Sequence, residues 1–162
     1  MNEDIQGIRR SMANIGRYLD SWEARLCQQE WQLHFSGRFG PIIRRARLVT
    51  PSDLDAFEDA YDAGNLNADE ALAVRQLDII VEGVQGGRGA AVTPALLAVE
   101  VSVTIDRNDV ARARDRAAIL RKVGYNAIPV VAGARMDASL RDAAEAEGVR
   151  VLLRPEDVFE VA

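Results

Sequence analysis

The sequence predicts an α/β domain, with a mixed central sheet flanked by helices, carried behind an N-terminal coiled-coil helix. Three observations predict it. Ile5, Ile8, Met12, Ile15, Leu19, Trp22 and Leu26 recur at alternating spacings of 3 and 4 residues, which is the a/d seam of a coiled coil. From Gln76 onward, short β-branched apolar runs alternate with helical patterns bounded by caps and glycines, the signature of an α/β layer arrangement. Two of those runs, "LDIIVEG" and "ALLAVEVSVTI", are separated only by the glycine-rich "VQGGRGAAVTP", so they read as an antiparallel hairpin.

Each element follows from local chemistry. The narrow apolar stripe of residues 1–27 buries little on its own chain, so it predicts self-association into a homodimer. The helical pattern continues through "WEARLCQQEWQLHF", where Trp31, Leu33 and Phe35 enter the globular part, and Gly37 and Gly40 are expected to stop it. "RRARLVT" is a strand around Arg45 to Thr50. Ser52 is the expected cap of an acidic helix closed by Gly64, and Asn67 or Asp69 starts a second helix ending near Arg75. Together they form a helical hairpin at about 52–75, its many acids a solvated face. After the β-hairpin, Asp106 or Asn108 caps "DVARARDRAAILRKVG", which Gly124 ends. "NAIPVVAG" is a buried strand, "DASLRDAAEAEG" a helix, and "VRVLLRPEDVFEVA" a strand with a tail.

Composition limits the function classes. The chain has 162 residues, 48% of them hydrophobic, enough for one domain with an appendage. No window supplies the roughly 18 apolar residues of a membrane helix, and "MNEDIQGIRR" lacks a signal-peptide core, so a cytoplasmic protein is expected. The single cysteine, Cys27, cannot form an internal disulfide and reads as a structural thiol in a reducing compartment. A net charge of -5 and a pI near 5.0 argue against coating nucleic acid by bulk electrostatics, though not against a local basic patch. His34 is the only histidine, which removes support for a Ser-His-Asp hydrolase or a histidine-rich zinc site. "GGRG" lacks the Lys-Ser/Thr of a phosphate loop, and Trp22 and Trp31 fall on helical packing stripes.

The chemistry concentrates in the hairpin. Alternation along "ALLAVEVSVTI" puts Leu97, Val99, Val101, Val103 and Ile105 on one face and Leu96, Ala98, Glu100, Ser102 and Thr104 on the other. The first is core; the second turns polar at Glu100. A carboxylate there needs a partner, a metal or water, because burying it unpaired is very costly. Asp78, at the start of the neighbouring strand, raises the same question. Paired strands would bring both carboxylates to one spot, within about 6 Å, the donor type and number that hold Mg²⁺.

Asp78 in "LDIIVEG", a hairpin turn, Glu100 in "LAVEVSV", an arginine-rich helix and "AIPVVAG" together resemble the PD-(D/E)XK nuclease superfamily, and more narrowly its uncharacterised bacterial and cyanobacterial members with an N-terminal coiled coil. The resemblance runs from about Glu23 to the C-terminus. It implies a restriction-endonuclease-like fold over 28–162, with Asp78 and Glu100 as Mg²⁺ ligands, the Val101 carbonyl as a third, and Glu30 as a possible helper from the first helix. It also implies a catalytic lysine two residues after the glutamate, where this chain has Ser102. Serine brings no positive charge to a phosphate.

A displaced cation has candidates in the following helix. From Glu100 to Ile105 the strand covers ~16 Å, and a helix returns that distance in ~11 residues, which puts Lys122 near the right level but turned toward solvent; Arg114 and Arg121 lie closer to the apolar stripe Val110, Ala113, Ala117, Leu120. The plain structural alternative is that Glu100 pairs with an arginine of this helix such as Arg114. Two functions follow: a weak or specialised metal-dependent nuclease acting on nucleic acid, or a catalytically inactive dimeric module that keeps the fold.

Overall fold

The protein, described by a computed structural model over residues 2–155, begins with an unbroken helix α1, Asn2–Leu33, followed after His34 by the short α2, Phe35–Phe39. The chain is therefore broken three residues before Gly37, which lies inside α2; only Gly40 terminates it. The break lets Phe39 fold back on Trp31, ring centroids 5.5 Å apart, with the Arg38 guanidinium 5.2 Å over the indole. Trp31, Phe39 and the Cys27 thiol are all buried, so α1 docks on the domain from Cys27 onward. Before that point the helix stands clear. The seven seam residues are between 47% and 65% exposed.

Strands β1 (Arg44–Val49), β2 (Ile79–Gln85), β3 (Thr93–Ile105), β4 (Ala127–Met136) and β5 (Arg150–Leu153) form one mixed sheet in the order β1-β2-β3-β4-β5. The first three are antiparallel neighbours, as expected of the hairpin, and β3, β4 and β5 run parallel. Parallel neighbours need crossovers, and helices α5 (Arg107–Lys122) and α6 (Ala138–Ala146) supply them. The edge strand β1 is bulged between Arg44 and Arg47, with Arg45 at φ 54°. The arginines and the bulge discourage pairing with another sheet. The tail expected after the last strand lies, from residue 156 on, outside the described residues.

Helices α3 (Asp55–Asp62) and α4 (Ala68–Arg75) lie between β1 and β2. Asn67 caps α4 in a reciprocal pair with Glu70. At the start of the insert, Ser52 is not the cap: Thr50 and Asp53 close a capping box around a 3-10 turn, Pro51–Asp53. The first turn of α3 is instead capped from a distance, where the Ala56 N–H donates to the Tyr125 hydroxyl at 3.1 Å.

The sheet is buried on both faces. Ile79, Val81, Leu97, Val99, Val130 and Ala132 pack under α1 and α2. Ile80, Leu96, Ala98 and Ala127 pack under α3, α4 and α5, and Val131, Val149 and Val151 meet α5 and α6. The stripe Val110, Ala113, Ala117, Leu120 faces this second layer as its spacing requires. Close approach peaks where β3 meets β4 beside Ser102. A Cβ on Gly133 would stand 1.8 Å from the Ser102 carbonyl oxygen, so no side chain fits there. Among the described residues, no helix is long and apolar enough to cross a membrane.

Candidate functional site

The β2–β3 register pairs Ile79 with Val99 and Ile80 with Ala98. One step further along the same antiparallel register sets Asp78 opposite Glu100. Asp78 sits in the bend just before β2, and its Oδ2 accepts a 2.8 Å hydrogen bond from the Val101 N–H. Glu100 is 3% exposed, and the Asp78 carboxyl is a close enough neighbour to act on it. The two acids thus converge at the polar end of the hairpin. Val101, the third residue of the expected set, is fixed there through its backbone.

Burial pushes the Glu100 carboxyl up to about 8, with the neighbouring Asp78 adding to the rise and Arg116 and Arg112 opposing it. The sign of the pH effect follows. Between its ordinary value of 4.5 and about 8, folded protein holds a proton that the unfolded chain has released, so the stability due to this group falls as pH rises through that window. The expected result is that the gap in denaturation midpoint between the parent and Glu100→Gln shifts in favour of the glutamine variant from pH 5 to pH 8. A gap that stays constant across that range would show that Glu100 does not titrate there.

The partner of Glu100 is Arg116. Its Nη1 bonds Glu100 Oε1 and also donates to the Gln76 carbonyl at 3.2 Å, while Nη2 reaches Gln76 Oε1 at 3.4 Å. None of the cations singled out from sequence is there. Lys122 pairs with Glu70 of the helical insert at 3.0 Å, Arg121 donates to the Ala127 carbonyl at 2.7 Å, and Arg114 bridges to Glu147 at 3.0 Å. The rise argument fails for Lys122 because ~11 residues counted from Ile105 arrive at position 116. Arg116 also lies three residues after Ala113 and four before Leu120, on the edge of the buried stripe.

The first helix contributes amides in place of an acid. Gln28 and Gln32, one turn apart on α1, direct their Nε2 groups at the Asp78 carbonyl, at 3.4 and 3.5 Å. Glu30 lies two residues from each, hence on another side of the helix. It pairs with Arg38 at 3.3 Å and approaches His34 at 3.6 Å. Ser102, half-buried and on the Glu100 face by alternation, donates its hydroxyl to the Thr104 carbonyl at 2.9 Å.

Two neighbouring carboxylates are the donor type that could hold one hard cation. Among the described residues no cluster of three or more acidic, histidine or cysteine side chains exists, so any further ligands would be backbone oxygens, water or substrate. No family model, no curated protein and no solved structure matches this chain. What the site can do rests on its own geometry.

Proposed function

We propose that the chain is a PD-(D/E)XK nuclease-like protein of restriction-endonuclease-like fold, whose Asp78 and Glu100 hold a divalent cation such as Mg²⁺ against a phosphodiester of nucleic acid. The observation that carries this reading is the meeting of the two acids, with Asp78 on the Val101 N–H and Glu100 buried opposite. A bound divalent ion would polarise the phosphodiester and lower the pKa of an attacking water. The chain's own part is to place the carboxylates: Val101 N–H orients Asp78, and the Gln28 and Gln32 amides brace the bend that carries it. Arg112, 45% exposed in its side chain and held to Asp109, lies near enough to act on Glu100 electrostatically and is the accessible cation of the site for a phosphate.

Hydrolysis in this reading is slow, because the position two residues after Glu100 is a serine hydrogen-bonded to its own strand. That same bond, with Arg116 on Glu100, favours the second reading: a catalytically inactive dimeric binding or regulatory module. Cleavage of single- and double-stranded DNA and RNA with Mg²⁺ or Mn²⁺ separates the two. Under the first reading the parent cleaves at least one of them, and Asp78→Ala or Glu100→Ala lowers the rate by ~100-fold, the scale of losing one preorganised electrostatic contact. Parental cleavage that both variants retain would remove the acids from the chemistry, and no cleavage of any substrate would leave the inactive module.

A further inference from the structure

We propose that Arg116 is the resident cation of the acid pair and competes with a divalent metal for Glu100; this rests on the cation-site reading above. The guanidinium is already where a metal would have to bind, with Nη1 on Glu100 Oε1. It is unlike an ordinary surface ion pair. The Arg116 side chain is only 11% exposed, against 3% for Glu100, and it also donates to the Gln76 carbonyl and Oε1. Gln76 ends α4 and precedes Asp78 by two residues. The contact therefore ties three elements together: α5 through Arg116, β3 through Glu100, and the bend that carries Asp78.

Charge and stoichiometry turn this contact into a competition. Once both are ionised, the two carboxylates offer two negative charges, and Arg116 offsets one of them. A divalent ion entering beside the guanidinium would meet one uncompensated negative charge and a cation on the oxygen it needs. Among the described residues no third acidic side chain joins the pair to raise the charge. Metal can bind at full strength only when Arg116 leaves Glu100. Its long stem allows that movement toward solvent, and its planar fork suits a phosphate as well as a carboxylate. The same side chain thus keeps Glu100 paired at rest and weakens the hold of the two acids on metal.

Titration of the full chain with Mn²⁺, followed by the resonance of the free ion and without nucleic acid, tests this. Arg116→Met is expected to bind Mn²⁺ at least ~10-fold more tightly than the parent, the scale on which neighbours of a metal site alter affinity. Adding Glu100→Gln to Arg116→Met should abolish the gain. Arg116→Gln, which keeps a polar group toward Gln76, is the second variant if the methionine chain does not fold, with thermal melts checking each. Parental binding that neither Arg116 variant strengthens would overturn the competition and leave the cation site standing. Absence of Mn²⁺ binding in every variant would overturn the cation site and the competition with it.

Discussion

If the seam pairs two copies as its spacing predicts, replacing both Ile15 and Leu19 by aspartate is expected to give a monomer of about 17.8 kDa while leaving the domain folded. These residues occupy the middle of the seam and are 59% and 58% exposed on a single chain, so they contribute nothing to the docking of α1, which begins at Cys27. In a two-stranded coiled coil they would be buried against the other copy. An unpaired carboxylate in such a seam costs on the order of 3–5 kcal/mol, and each ~1.4 kcal/mol is tenfold in dissociation constant. Four aspartates in one dimer would dissociate it at any ordinary concentration.

Charge also argues for a second copy as the occupant of this stripe. In a parallel, in-register pair, the flanking g and e positions set Asp4 against Arg9 and Arg25 against Glu30 of the other chain. Sedimentation equilibrium checks the mass, and circular dichroism checks the fold. A parent that is already monomeric, or an aspartate variant that keeps the parent's mass, would remove self-association through this seam. Deleting residues 2–26 should give the same folded monomer, because no buried side chain is lost.

What could be read from sequence, and what could not, divides along physical lines. The hairpin and its acids were legible because strand alternation has a period of two and Glu100 interrupts an apolar run on one face. The caps were legible to within two candidates each, Asn67 or Asp69 and Asp106 or Asn108, because capping is local: the side chain bonds an N–H three residues away, as in Asn67 with Glu70 and Asp106 with Asp109. Arg116 was not. A helix side chain advances ~100° per residue, so an error of a few residues in level sends the search to Lys122, Arg114 or Arg121, which the structure spends on Glu70, Glu147 and the Ala127 carbonyl.

Long-range partners carry even less signal. Nothing near Ala56 says that Tyr125 caps α3, and nothing in "CQQEWQL" distinguishes Gln28 and Gln32, which meet the Asp78 carbonyl, from Glu30, which does not. The break after His34 was missed because Gly37 is the stronger local stop signal. The packing of Phe39 against Trp31 turns the chain earlier. In each case a tertiary contact overrode a local preference.

The serine beside Glu100 sets the last expected result: Ser102→Lys combined with Arg116→Met should raise Mg²⁺-dependent cleavage of nucleic acid well above the parent's. Ser102 lies two residues along the strand from Glu100, on the same face, and its hydroxyl does no more than bond the Thr104 carbonyl. Exchanging it costs one local hydrogen bond, about 1 kcal/mol. The longer side chain would carry an ammonium past the strand surface, where it could orient and help deprotonate a water. Ser102→Lys alone should do less, because Arg116 would still hold Glu100 and a second cation beside it would weaken metal binding further. A positioned proton-transfer group is worth ~100-fold or more in rate, so the double variant should exceed Arg116→Met by about that factor and Ser102→Lys by the ~10-fold gain in metal affinity at sub-saturating Mg²⁺, and Glu100→Gln should erase the gain. The informative measurement is initial cleavage rate against Mg²⁺ concentration for the parent, both singles and the double. Strong parental cleavage that Ser102→Lys leaves unaltered would show that this position is not the lesion, and would return the missing cation to Arg112, a half-exposed guanidinium that acts on Glu100.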